Sequence, residues 1–215
     1  MQYPVNMEIA GRVCVIIGGG RVAERKAQVL LQAGAHLTII APSLTNTLYQ
    51  EASTGCFFWL ARPYEDGFLR RVRPFLVFCT ADNHEVNRLA AAEAREADAL
   101  VNVADEPALS DFFVPASIRR GKFLLTIGTG GLSPAFSRCL RGQLEQAFPP
   151  AFGFWVERLA EIRDEMKEKL PTSDARQTFW RLALSREVIN LVRTGQLDRA
   201  EVLIRHAIIG FRSQS

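Results

Sequence analysis

The chain has 215 residues, 48% of them hydrophobic, and 26 Lys and Arg against 23 Asp and Glu leave a formal net charge of +3. That composition fits an ordinary globular protein of one large domain or two small ones. No apolar run approaches the ~20 residues of a membrane span, and no basic segment leads into a long apolar core at the start, so neither a membrane span nor a secretory signal is expected. Scattered cysteines that read as reduced thiols make a cytoplasmic location the expectation.

In chain order, the first element is a near-continuous apolar run, Val13–Ile17, as expected of a parallel strand buried on both faces. It ends in Gly18-Gly19-Gly20 and leads into a helix over Val22–Ala33, with Ala33-Gly34 as its C-terminal signal. The pattern is G-x-G-x-x-A. Gly18 permits the tight turn, Gly20 lets backbone approach a pyrophosphate, and Ala23 lets the helix lie close to the sheet. The free N–H groups and positive dipole end of such a helix suit phosphates. Leu37–Ile40 is the second strand, Leu44–Ala52 a helix, Phe57–Leu60 a strand and Phe75–Cys79 another buried strand. Asp82 or Asn83 caps a helix running to about Ala97, and Leu100–Val103 is the next strand. Strands alternating with helices imply right-handed crossovers and a parallel sheet, an α/β Rossmann-like domain.

The pattern then changes. Phe112–Pro115 and Phe123–Ile127 flank Arg119-Arg-Gly-Lys122, which reads as a hairpin turn. Gly128–Gly131 is a loop, Ser133-Pro134 opens a helix, and Pro149-Pro150 ends it. Beyond lie helices over Phe152–Leu170 and Asp174–Ser185, and two short ones around Gly195. The expected organisation is a dinucleotide-binding domain over 1–113, a hairpin-plus-helix module over 114–148 and a helical domain over 149–215. Charge divides along the same line, −3 over residues 1–113 and +6 over the rest. The basic second half suits an anionic ligand. A nucleic-acid partner is not expected, because Glu157, Glu161, Asp164, Glu165 and Glu168 interleave with the arginines there and no reader motif occurs.

Ligands on parallel sheets sit beyond the carboxyl ends of the strands. Three such ends matter here: Gly18–Gly20, Thr80–Asn83 and Ala104–Pro107, with Thr80 among the candidate cofactor-binding residues. The acidic residue that usually holds the ribose is missing, since Ile39–Ser43 contains neither carboxylate nor base, and the choice between NAD and NADP stays open. Ser43 or backbone groups would meet the ribose, and Arg21 lies where it could meet a phosphate. His36, His84 and His206 read as surface or packing residues. Cys14, Cys56, Cys79 and Cys139 are scattered, with no C-x-x-C pair, so no metal site is expected. Asp105, in a loop at a strand's carboxyl end, is the candidate for acid–base chemistry.

Three segments, Gly18-Gly-Gly-Arg-Val-Ala-Glu-Arg-Lys26, Val101-Asn-Val-Ala-Asp-Glu-Pro107 and Thr129-Gly-Gly-Leu-Ser-Pro134, resemble in order and spacing the precorrin-2 dehydrogenase family of siroheme synthesis. The likeness covers residues 5–150 closely and the helical tail more loosely. It implies NAD-dependent oxidation of precorrin-2 to sirohydrochlorin, with ferrous iron insertion giving siroheme in some members. It also implies a homodimer, with residues 114–148 as the dimerisation module. The family's functional aspartate falls on Asp105, and its NAD contacts on Arg21, Val22, Pro42 and Ser43. Arg21 stands where the fused enzyme has aspartate, so its backbone contact carries over and its side-chain contact does not. Thr129 takes the place of a phosphorylated serine. The chain ends before the methyltransferase domain of the fused form, which implies a separate supplier of precorrin-2. Arg119, Arg120, Lys122, Arg138 and Arg141 are candidates to meet substrate carboxylates. A nucleotide-sensing module that binds NAD without catalysis is the alternative class. The Asp105 loop and the long helical tail argue against it.

Overall fold

The computed structural model describes residues 2–212 and divides between Val114 and Pro115 into two compact units. In the first, five parallel strands run in the order β3-β2-β1-β4-β5. They are β1 Val13–Ile17, β2 His36–Ile40, β3 Phe58–Leu60, β4 Leu76–Cys79 and β5 Leu100–Val103. The register pairs Ile17 with both Ile40 of β2 and Cys79 of β4, so these carboxyl ends finish level. Side chains alternate faces along a strand. Cys14 and Ile16 therefore enter one core, and Val15 and Ile17 the other.

Helices cover both faces. Ala23, Ala27 and Leu30 of α1 (Arg21–Gln32) and Leu48 of α2 (Asn46–Ser53) fill the first core. Leu69 of α3 (Phe68–Val72) and Ala90, Ala91 and Ala94 of α4 (His84–Glu96) fill the second. Alanines at these spacings let the helix backbones lie close to the sheet. The one-turn helix α3 escapes sequence reading because five residues are too few to show a helical period. On α4, buried Glu93 accepts from the Tyr64 hydroxyl and from the Arg70 backbone N–H at 2.8 Å. Burial, with Glu93 beside it, holds the Tyr64 hydroxyl protonated well above its ordinary range.

The strand expected at Phe112–Pro115 does not form. Ser110 and Asp111 close the edge of β5 with their side chains, accepting from Val103 N and Val101 N at 2.9 Å each, and Asp111 N returns a bond to Val101 O at 2.8 Å. Phe112 turns inward and meets Phe78 edge-on, ring centroids 5.4 Å apart. An open strand edge invites pairing with another chain, and this segment blocks it.

The second unit begins with the antiparallel pair β6 (Ala116–Arg120) and β7 (Phe123–Ile127). Arg119 and Arg120 are thus strand residues, and the turn is Gly121-Lys122 alone. Its first position needs positive φ, which Gly121 supplies at +56°. Helices follow as α5 (Pro134–Ala147), α6 (Ala151–Lys169), α7 (Ser173–Ala183), α8 (Arg186–Arg193) and α9 (Leu197–Arg212). Ser133 caps α5, accepting from Phe136 N, while Thr172 and Ser185 do the same for α7 and α8. The last helix has 16 residues and is not short. Phe152, Trp155, Ile162, Phe179, Val192 and Ile204 share one core. A methyl on Gly153 of α6 would lie 2.6 Å from the Arg120 carbonyl oxygen, so that helix packs directly on the β6 backbone. Among the described residues no helix is long and apolar enough to cross a membrane.

Lys26 on α1 is a partly buried charge with a measurable signature. Its Nζ donates to Asn102 Oδ1 at 2.9 Å and sits 4.7 Å from the Phe78 ring centroid. Burial lowers its pKa to about 8, with Arg25 adding to the effect. The folded state therefore binds fewer protons than the unfolded chain between about pH 8 and 10.5. The cost of burying the charge is full below pH 8 and fades as pH rises through that window. Relative to Lys26→Met, the wild type should gain on the order of 1–2 kcal/mol between pH 7.5 and 9.5. Urea unfolding of both proteins at the two pH values measures this, and a pH-independent difference would refute it.

Candidate active site

The site is built at the level carboxyl ends of β1, β2, β4 and β5. Gly18 turns the chain at φ +113°, donating its N–H to Ile40 O at 2.9 Å. A methyl there would lie 2.6 Å from the Thr80 carbonyl oxygen, so the turn is pressed against the end of β4. Thr80 is held in turn, its backbone N–H and its hydroxyl both donating to Ile17 O at 2.8 and 2.9 Å. The Thr80 side chain is thereby committed to the turn's wall.

Gly19 is the position sequence reasoning left unassigned. A methyl on it would fall 2.0 Å from the Ser43 carbonyl oxygen, and Gly19 O accepts from Thr45 N at 3.0 Å. These contacts seat the loop after β2, with exposed Pro42 and Ser43, on the glycine turn. The Thr45 hydroxyl donates to Glu24 on α1 and accepts from Leu48 N, which ties the starts of α1 and α2 together. The signal was present in the sequence: three consecutive glycines are more than a turn and a phosphate approach require.

Gly20 differs from its neighbours. Its φ is −82°, a value any residue adopts, and a methyl on it would meet nothing within 4 Å. It precedes α1 with no side-chain cap, so the first N–H groups of the helix lack intrahelical partners. Arg21 and Val22 occupy the first two helical positions, both exposed. An uncapped helix start facing open space, above backbone with no Cβ, is a cradle of the kind a pyrophosphate fills. The residues present fit a dinucleotide.

Asp105 lies in the loop after β5, its side chain 25% exposed. Both carboxylate oxygens are held from the first turn of α4. Asn87, 1% exposed, donates from Nδ2 to Oδ1 at 3.0 Å, and His84 Nδ1 contacts Oδ2. The Asn87 amide is itself oriented by the end of β4, accepting from Ala81 N at 3.0 Å and donating to Ala81 O at 2.9 Å. One helical turn further, Arg88 pairs with Glu106 at 2.7 and 3.2 Å. The α4 start therefore clamps the Asp105–Glu106 loop from two sides. Asn83 makes this possible by capping the helix, accepting from Glu85 N at 2.9 Å.

His84 thus contacts the candidate acid–base residue and is not the plain surface residue expected from the sequence. The i, i+3 spacing of His84 and Asn87 places both on one face of a helix, but nothing in the sequence says that this face meets the end of β5. Cys79, the nearest thiol, is fully buried and pushed up to about 12 by burial, with Asp105 contributing. It stays protonated and inert.

Residues 5–116 match the family described as "Putative NAD(P)-binding", and residues 151–208 match the sirohaem synthase dimerisation region. The chain is similar to the siroheme synthases of Xylella fastidiosa (strain M12), 35% identical over 206 residues, and of Photorhabdus laumondii subsp. laumondii, 33% identical over 202. These alignments take in 96% and 94% of this chain but 43% of each relative, so the chain spans less than half the length of those proteins. A solved structure described as SirC, precorrin-2 dehydrogenase, shares the fold with a TM-score of 0.71 at 22% identity, over 99% of this chain and 100% of that one. With a match to the putative NAD(P)-binding family across half its length, joined to the sirohaem synthase dimerisation region, the chain belongs to that NAD(P)-binding family in the form found in siroheme synthases.

Proposed function

We propose that this protein oxidises precorrin-2 to sirohydrochlorin with NAD and works as a homodimer in the cytoplasm. The observation that carries the reading is the Asp105 carboxylate, held from α4 at the same end of the sheet as the open helix start at Gly20. A sensor of nucleotides would need the cradle but not a clamped carboxylate at the same end of the sheet.

Each residue then has a task. The N–H groups at Arg21 and Val22, with the positive end of the α1 dipole, hold the pyrophosphate. Pro42 and Ser43, seated on Gly19, border the ribose. The Thr80 backbone walls the turn. NAD, when bound, supplies the acceptor for the hydride leaving the reduced macrocycle. Asp105 takes the accompanying proton, and positioning by the protein supplies much of the rate. The net charge of +6 over residues 114–215 suits a polycarboxylate substrate. Arg119, Lys122 and Arg138 are exposed and available for that contact. Arg120 is partly spent on the Phe148 carbonyl at 3.1 Å, and Arg141 leans toward Glu145 at 4.0 Å.

Anaerobic incubation with precorrin-2 and NAD, followed by NADH and sirohydrochlorin absorbance, tests the reading. Both should appear in equal amounts. NAD binding without turnover would leave the sensing role instead. Adding Fe²⁺ to the sirohydrochlorin formed asks whether the protein also inserts iron, by comparison with the uncatalysed rate.

A further inference from the structure

The proton that Asp105 takes as a general base must leave before the next turnover. Its side chain is three-quarters buried, and Oδ1 is engaged by Asn87, whose amide is fixed in that sense by Ala81 N–H. Oδ2 meets His84 Nδ1, while the His84 side chain is 72% exposed. One ring nitrogen is therefore on the carboxylate and the rest of the ring stands in solvent. The other groups around the carboxylate offer no such route. Cys79 is buried and keeps its proton, and Arg88 is bound to Glu106.

We infer that His84 relays the proton from Asp105 to water, a role that rests on the reading of Asp105 as the base. The carboxylate takes a proton from the macrocycle and becomes the carboxylic acid. At rest His84 Nδ1–H donates to Oδ2; once Asp105 is protonated, the exposed ring exchanges with water to the tautomer protonated on Nε2, and its Nδ1 lone pair takes the proton from Oδ2. The imidazolium so formed releases its Nε2 proton to solvent, which leaves Nδ1–H on the carboxylate as at the start. One proton crosses from substrate to solvent, and Asp105 is again a carboxylate. Nothing in the fold requires this contact. A His–Asp pair whose imidazole stands mostly in solvent adds little to stability, about 0–1 kcal/mol, and Asn83, not His84, caps the helix.

The test uses the full chain with precorrin-2 and NAD under anaerobic conditions. His84→Ala should lower kcat about 10- to 100-fold, with KM for NAD unchanged. Millimolar imidazole should restore most of that loss in His84→Ala and none in Asp105→Asn. In the unliganded protein, Asp105→Asn should shift the ring ¹⁵N signals of His84 and leave those of His36 and His206 in place. Wild-type turnover in His84→Ala, a loss that imidazole does not repair, or unmoved His84 signals would each overturn the relay. Undiminished turnover in Asp105→Asn would instead overturn the assignment of the base, whatever His84 does.

Discussion

Asp105→Asn is expected to lower turnover by about 10²–10⁴-fold, the range for loss of a positioned general base, while NAD binds as before. The replacement amide has the carboxylate's shape and still offers Asn87 an acceptor, so the loop should keep its place. What it lacks is the capacity to take a proton. Unchanged turnover would remove Asp105 from the chemistry. Asn87→Ala makes an informative companion because it leaves the carboxylate but frees it. Three hydrogen bonds vanish, to Ala81 N, Ala81 O and Asp105 Oδ1, around a side chain only 1% exposed. The loss should reach about 1–3 kcal/mol of stability, since the partly buried backbone groups of Ala81 are left without these partners. Turnover should fall as well, with NAD affinity little changed. Chemical denaturation beside steady-state kinetics separates the two effects.

The adjacent glycines should part company. Gly20→Ala is expected to fold normally, because φ there is −82° and the new methyl meets nothing within 4 Å, yet to weaken NAD binding at least tenfold. The methyl would stand where the pyrophosphate must approach. Gly19→Ala should fail at an earlier stage. Its methyl would fall 2.0 Å from a backbone oxygen of Ser43, which cannot rotate away as a side chain could. The loop after β2 must then shift, at a cost of about 1–3 kcal/mol or more, and the Thr45 N–H bond to Gly19 O shifts with it. Titration with NAD, read against melting temperature, distinguishes them. A Gly20→Ala protein with full affinity would place the pyrophosphate elsewhere.

Much of this molecule is local, and local features can be read along the chain. Val13–Ile17 announces a strand buried on both faces because every residue in it is apolar, and the structure packs its alternate residues into two cores. Ser133-Pro134 and Asn83 signal helix starts because a cap acts within one turn of its own helix. The segment 110–115 misled because its apolar residues look like a strand. Its hydrogen bonds go instead to β5, through the side chains of Ser110 and Asp111.

The sequence by itself determined the alternation of strands and helices, the glycine turn, and the place of Asp105 at a strand's end. Only the tertiary structure decided that β4 and β5 pair with their ends level, which brings α4's first turn, 18–21 residues earlier in the chain, onto Asp105. The physical reason is that periodicity and capping act within a few residues. The clamp made by Asn87 and His84, like the seat of Gly19 on Ser43, exists only once hydrogen bonding has set the strands side by side in one register.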